Sequence, residues 1–232
     1  MPEDITFLTG RRAYEFRPDD LRLSTVSIKP IPDAIQELFS FQSSTIGSPM
    51  PTFGDVQLTI PPGIVFNTGA WKSPENKFAS IRFLHFEPRR IVIDVAGSSA
   101  ALTPIFEQLQ QFLAGIQTAD GSPLIGKPQS VVDYSEISAH FSFPLDAVIS
   151  QPLRKILSGI VKEPVLIPTL IMQSFSSGQA LSGTAIINDL HAFTLAPRAG
   201  TKPEDHIYFS GAPLDSEAHL SYLNDLEAAL TS

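Results

Sequence analysis

Hydrophobic positions along this chain fall into short runs that switch between period two and a period of three to four, the spacings of strands and amphipathic helices. Residues 1–20 are mixed and charged and predict only a turn, at Phe16-Arg-Pro-Asp-Asp20. Leu21 to Lys29 reads as a strand, stopped by Pro30 and Pro32. Asp33 then opens a helix through Phe41, with Ala34, Ile35, Leu38 and Phe39 as its apolar stripe. Val56 to Ile60 alternates as a strand, Pro61-Pro62-Gly63 breaks it, and Ile64-Val65-Phe66 resumes. Gly69 to Lys77 reads as a turn-rich connection around Trp71, the only tryptophan. Phe78–Phe86 and Arg90–Val95 are the clearest strands, joined by a hairpin turn at Glu87-Pro88-Arg89. Both are apolar on two faces, which predicts burial on both sides. A small-residue loop, Gly97-Ser-Ser-Ala-Ala, leads to a helix with the stripe Ile105, Phe106, Leu109, Phe112 and Leu113. Thr103 is its expected cap and Pro104 its first residue.

Thr118 to Pro128 carries the Gly and Pro breaks of an internal boundary, and the same order of elements then returns. Tyr134–Phe143 predicts a strand and Pro144–Gly159 a helix kinked or delayed by Pro152. Val165–Phe175 predicts a strand interrupted at Pro168, followed by a loop at Ser176–Gly183. Leu190–Ala196 and His206–Ser210 predict a hairpin pair. Asp215–Leu230 predicts a closing helix capped by Asp215 or Ser216, with Leu220, Leu223, Leu226 and Leu230 inside. Val26-Ser-Ile28 with Asp33-Ala-Ile35 matches Ala139-His-Phe141 with Asp146-Ala-Val148 at one constant spacing, close to half of the 232 residues. Such self-similarity predicts a duplicated architecture. The expectation is an α+β fold of two tandem pseudo-symmetric β-α-β-β-β-α units with mainly antiparallel sheet and helices on one face. The units are residues 1–117 and 118–232, or one fused domain.

Composition narrows the function classes. Apolar residues make up 43% and charged residues 17%, against about 25% charged in an average protein. That excludes a disordered chain and suggests a surface covered by a second copy or a partner. A net charge of −8, with the two Arg-Arg doublets, Arg11-Arg12 and Arg89-Arg90, outside any basic run, argues against nucleic-acid binding. The absence of cysteine removes disulfides, thiolate catalysis and Cys-zinc sites. No run of 18 apolar residues and no signal-peptide pattern is present, so the reading is a soluble, cytoplasmic protein without membrane partners.

Chemical motifs are sparse. Gly-x-Ser-x-Gly and Gly-x-Gly-x-x-Gly are both missing, and Gly178–Thr184 imitates a phosphate loop without its lysine or the helix behind it. Asp215 and His219 stand four apart on a predicted helix, as a two-ligand arm or a surface ion pair. Glu204-Asp205-His206 offers the same two readings. No metal site and no cofactor is expected. His85, in phase with Ile81 and Phe83 on an apolar strand, reads either as a core histidine or as a site residue with a tuned pKa. His140 carries the same ambiguity. Arg89 and Arg198 occupy equivalent hairpin tips, as solvated turn residues or as anion clamps. The ligand-binding candidates are therefore His85, His140, Arg82, Arg89 and Arg198, with no catalytic residue.

Ile81-Arg-Phe83, Arg90–Val95 and the helix to Leu113 resemble, over about a fifth of the chain, a sporadically distributed bacterial family of uncharacterised proteins. In that family a hairpin leads into a helix carrying aromatic residues, for which Phe106 and Phe112 stand nearest here. The Arg-rich strand of its pattern has no counterpart, since Tyr134–Phe143 lacks arginine. The resemblance implies no catalytic residue. The resulting expectation is a non-enzymatic protein acting through protein contacts, as a homo-oligomer or assembly partner. The alternative is a small-molecule binder or enzyme with a cleft between the two units.

Overall fold

The computed structural model describes residues 1–18, 20–22, 30–47, 63–73, 75–116, 121–149, 152, 155, 169–173 and 192–231. Its class is α+β: among the described residues there are nine strands and three α-helices, and the strand pairings are antiparallel. Contacts divide the chain into a first unit, Thr9–Asp133, and a second made of Met1–Leu8 with Tyr134–Ser232.

In the first unit the strands run β2-β3-β4-β5-β1 across the sheet. These are β1 (Glu3–Glu15), β2 (Ser43–Gly47), β3 (Gly63–Lys72), β4 (Phe78–Glu87) and β5 (Arg90–Ala96). The β4–β5 hairpin stands as its alternation predicts. On β5 every residue from Ile91 to Val95 is buried, whereas β4 exposes Phe78, Ser80 and Arg82 and is covered on both sides only around His85. Helices α1 (Pro30–Leu38) and α2 (Leu102–Ala114) both join the hydrophobic cluster of Ile64, Phe66, Ile81, Phe86, Ile91, Ile93 and Val95. Both therefore cover the same face of this sheet.

Several expectations are corrected. The charged opening segment is a strand, β1, pairing from Thr9↔Ala96 to Glu15↔Arg90. Pro30 and Pro32 lie inside the first turn of α1, where N–H groups have no helical partner to lose. The supposed turn at Gly69–Lys77 is strand as far as Lys72, because Gly69 lets the Phe41 ring rest on the backbone. A Cβ there would stand 2.5 Å from the ring. Thr103 does not cap α2. Ser98 instead accepts from the Ala100 N–H and caps a 3-10 turn, Ser99–Ala101, that feeds the helix. His85 is out of phase with Ile81, because Arg82 is the extra residue of a bulge between Ile81 and Phe83. The proposed strands at Leu21–Lys29 and Val56–Ile60 fall wholly or mostly outside the described residues; Leu21 itself bridges Ile125.

The second unit orders its strands β6-β9-β8-β7. They are β6 (Ser130–His140, its first residues counted with the first unit), β7 (Leu170–Gln173), β8 (Ala192–Pro197) and β9 (Ile207–Ala212). Helix α3 (Ser216–Thr231) is capped as expected by Asp215, whose Oδ1 accepts from the N–H groups of Glu217 and Ala218 at 2.9 Å. Phe141, Phe143 and Tyr208 form an aromatic knot with centroids 5.4–6.0 Å apart. The Tyr208 hydroxyl donates to the Phe143 carbonyl and accepts from the Leu145 N–H. Of the helix expected at Pro144–Gly159, a 3-10 turn at Leu145–Val148 is seen, and most of the remainder lies outside the described residues, as does Gly178–Thr184.

Candidate functional site

Strand β3 ends in Trp71 and Lys72, and a tight turn returns the chain into β4. In that turn Ser73 N–H donates to the Lys77 carbonyl at 2.8 Å, and Asn76 takes a left-handed φ of 63°. Across from it, β5 ends at Ala96 and the chain bends through Gly97, φ 104°, into the Ser98-capped turn. Small side chains there leave space. Gly10 of β1 lets the bend sit low, since a Cβ on it would meet the Ser99 backbone at 2.6 Å. The result is a cavity of about 780 Å³ between the β3–β4 turn and the start of α2. Its walls are mostly apolar: Trp71, Ala79, Ala96, Ala100 and Pro104, with Phe78 on the rim, 70% exposed. Trp71 is fixed by its indole N–H, which donates to Gln108 Oε1 at 2.8 Å. Ser73, Ser80 and Ser98 add hydroxyls to the lining, and Lys77 pairs with Glu75 at 3.1 Å. The volume falls in the range of small-molecule pockets, and a mainly apolar lining with few polar groups is their usual composition.

Arg82 and His85 lie elsewhere. Ile91, Ile93 and Val95 face the core, so Val92 and Asp94 face the other side of the sheet. There the buried Asp94 receives Arg11 Nε at 2.8 Å, with Arg82 Nε at 3.9 Å, while Arg82 Nη1 donates to Thr9 Oγ1. Arg11 also lies over the Phe83 ring. His85 is buried, with Nδ1 3.3 Å from Glu87 Oε1, and Glu87 holds Arg90 through two hydrogen bonds of 3.0 Å. Arg89, exposed at the hairpin tip, lines a polar cleft of about 520 Å³ with Glu15, Glu87 and Ser130. In the second unit His140 is half-buried at the end of β6, in register with Ile207, and Arg198 Nη1 donates to Ser138 Oγ at 3.3 Å. Arg82 and His85 thus share one strand face, and none of the five candidates lines the apolar cavity.

The least expected residue is His219. Neither the two-ligand arm nor the surface ion pair with Asp215 forms: His219 is fully buried, and its bond to Asp215 is the helical N–H to the Asp215 carbonyl. Its ring nitrogens stand 2.9 Å from Ser135 Oγ on β6 and 2.9 Å from Ser210 Oγ on β9. Ser210 gives its own proton to the Thr194 carbonyl, so it accepts from Nε2–H, and Nδ1 accepts from Ser135. Burial holds the imidazole down at about 4, well below the usual 6.5. The two seryl hydroxyls bolt the helix to the sheet.

Among the described residues no three His, Asp or Glu side chains gather as a metal cage requires, and no helix is long and apolar enough to cross a membrane. Comparison with protein-family models, with curated proteins and with solved structures finds no match.

Proposed function

We propose that this protein works by binding rather than by catalysis, and that the cavity between Trp71 and Pro104 is its working site. The supporting observation is the cavity itself: about 780 Å³, walled by Trp71 and small side chains and rimmed by an exposed Phe78. The occupant that fits such walls is a small, mainly apolar molecule, with the serine hydroxyls available to orient a polar end. Trp71 is the only tryptophan, so its fluorescence reports on the site directly. Titration with the apolar dye 8-anilinonaphthalene-1-sulfonate is expected to change Trp71 emission saturably. Ala100→Phe, which fills the cavity from an exposed backbone position, is expected to weaken that response at least tenfold. An unchanged affinity in the filled variant would remove the reading.

A second reading is self-association. It draws on β7, a short strand that exposes Ile171 and Met172 and pairs with β8 alone among the described strands. The duplicated build belongs with these proposals. Each unit places its first strand beside the last strand of a meander, β3-β4-β5-β1 and β7-β8-β9-β6, and each follows that last strand with a helix. This common order supports one supersecondary design used twice.

A further inference from the structure

The two helices that follow the meanders are seated by opposite chemistry. The buried residues of α2 are Leu102, Ile105, Phe106, Leu109 and Leu113. Those of α3 are Ser216, His219, Leu223 and Glu227, of which only Leu223 is apolar. A buried polar stripe costs desolvation and is stable only while every group keeps its partner. His219 is satisfied by Ser135 and Ser210. Glu227 Oε1 accepts from the Ser142 N–H at 2.7 Å and from its hydroxyl at 2.8 Å, and Oε2 pairs with the N-terminal ammonium at 2.8 Å.

We propose that α3 is an acid-released latch: protonation of its buried seats undocks this helix from β6, β8 and β9 and uncovers the apolar residues beneath it, Phe193, Leu195 and Tyr208, while α2 stays docked. Among the described residues the groups facing the seats are few. Toward His219 the neighbours are Ser135 on β6, Ser210 on β9 and the Phe193 ring on β8, packed edge-on with ring centroids 6.3 Å apart, and burial is what disfavours its charged form. Toward Glu227 stand Ser142 and the N-terminal ammonium. On α3's own side, the Asp215 carboxylate is engaged with the cap.

The direction follows from linkage. His219 is held at about 4 in the folded protein against 6.5 when released, so release takes up a proton. The latch is at full strength above pH 6.5 and weakens as pH falls toward 4. Burial pushes the Glu227 carboxyl up, but the ammonium and the Ser142 bonds outweigh it and hold it below the usual value. Its contribution is therefore lost at lower pH still.

The test is hydrogen–deuterium exchange of the intact protein between pH 7 and 5, corrected for intrinsic exchange. Opening of 216–231 is expected to rise toward tenfold per pH unit below 6.5, with 102–114 flat. His219→Gln keeps hydrogen-bonding capacity without titrating and is expected to flatten the α3 response. Should that variant fail to fold, the wild-type contrast between the two helices and Ser135→Ala, which keeps the histidine and should keep the slope, still decide. Equal pH dependence in both helices, a slope that survives in His219→Gln, or a slope lost in Ser135→Ala would overturn the proposal.

Discussion

Thr68 holds a φ of 52° in the middle of β3, opposite the bulge residue Arg82. A β-branched residue is strained there, by roughly 1–2 kcal/mol. Thr68→Gly is expected to raise stability by about 1 kcal/mol after the entropic cost of glycine, seen as a higher urea midpoint with unchanged slope. Gly10 is the reverse case. Gly10→Ala forces the Ser99 backbone away and is expected to cost about 1–3 kcal/mol. It should also weaken dye binding, because the displaced bend forms one side of the cavity. His219 shows why single residues are hard to read from sequence. Leu220, Leu223, Leu226 and Leu230 suggest one buried row, yet the row that turns inward is Ser216, His219, Leu223 and Glu227, with Leu220, Leu226 and Leu230 half-buried beside it. Both rows pass through Leu223, and helical period alone does not choose between them.

At the level of elements, the runs with strong apolar alternation were legible: β4, β5, β8, β9, α2 and α3 stand close to their predicted bounds. Strand β1 was missed because Arg11, Arg12 and Glu15 make it look like a solvated segment. Those charges are satisfied in place, Arg11 on Asp94, Arg12 on Asp133 and Thr103, and Glu15 on Ser130. Burial of the Arg12 guanidinium opposes its charge, and the Asp133 carboxylate together with the Tyr14 hydroxyl more than restores it, leaving its pKa raised. The cavity was not legible at all. Its walls come from β3, β4, β5, the 3-10 turn and α2, and the alanines that create space look like ordinary strand and loop residues. Helix α2 should bear much of the first unit's stability. Leu109→Ala, at a fully buried position, is expected to cost about 2–5 kcal/mol by equilibrium denaturation.

For the molecule as a whole, the first unit carries its own hydrophobic cluster, both halves of the cavity and most of β1. Expressed alone, residues 9–133 are expected to give a cooperative unfolding transition and to keep the Trp71 response to dye. Loss of either would mean that the unit does not hold its cavity unaided. The central claim is that the cavity is a binding site, and native mass spectrometry of the full chain as purified tests it most directly. The account predicts a small molecule of defined mass retained by the wild type and absent from Ala100→Phe. A bare chain or bare oligomer that also fails to take up added apolar ligands would contradict it.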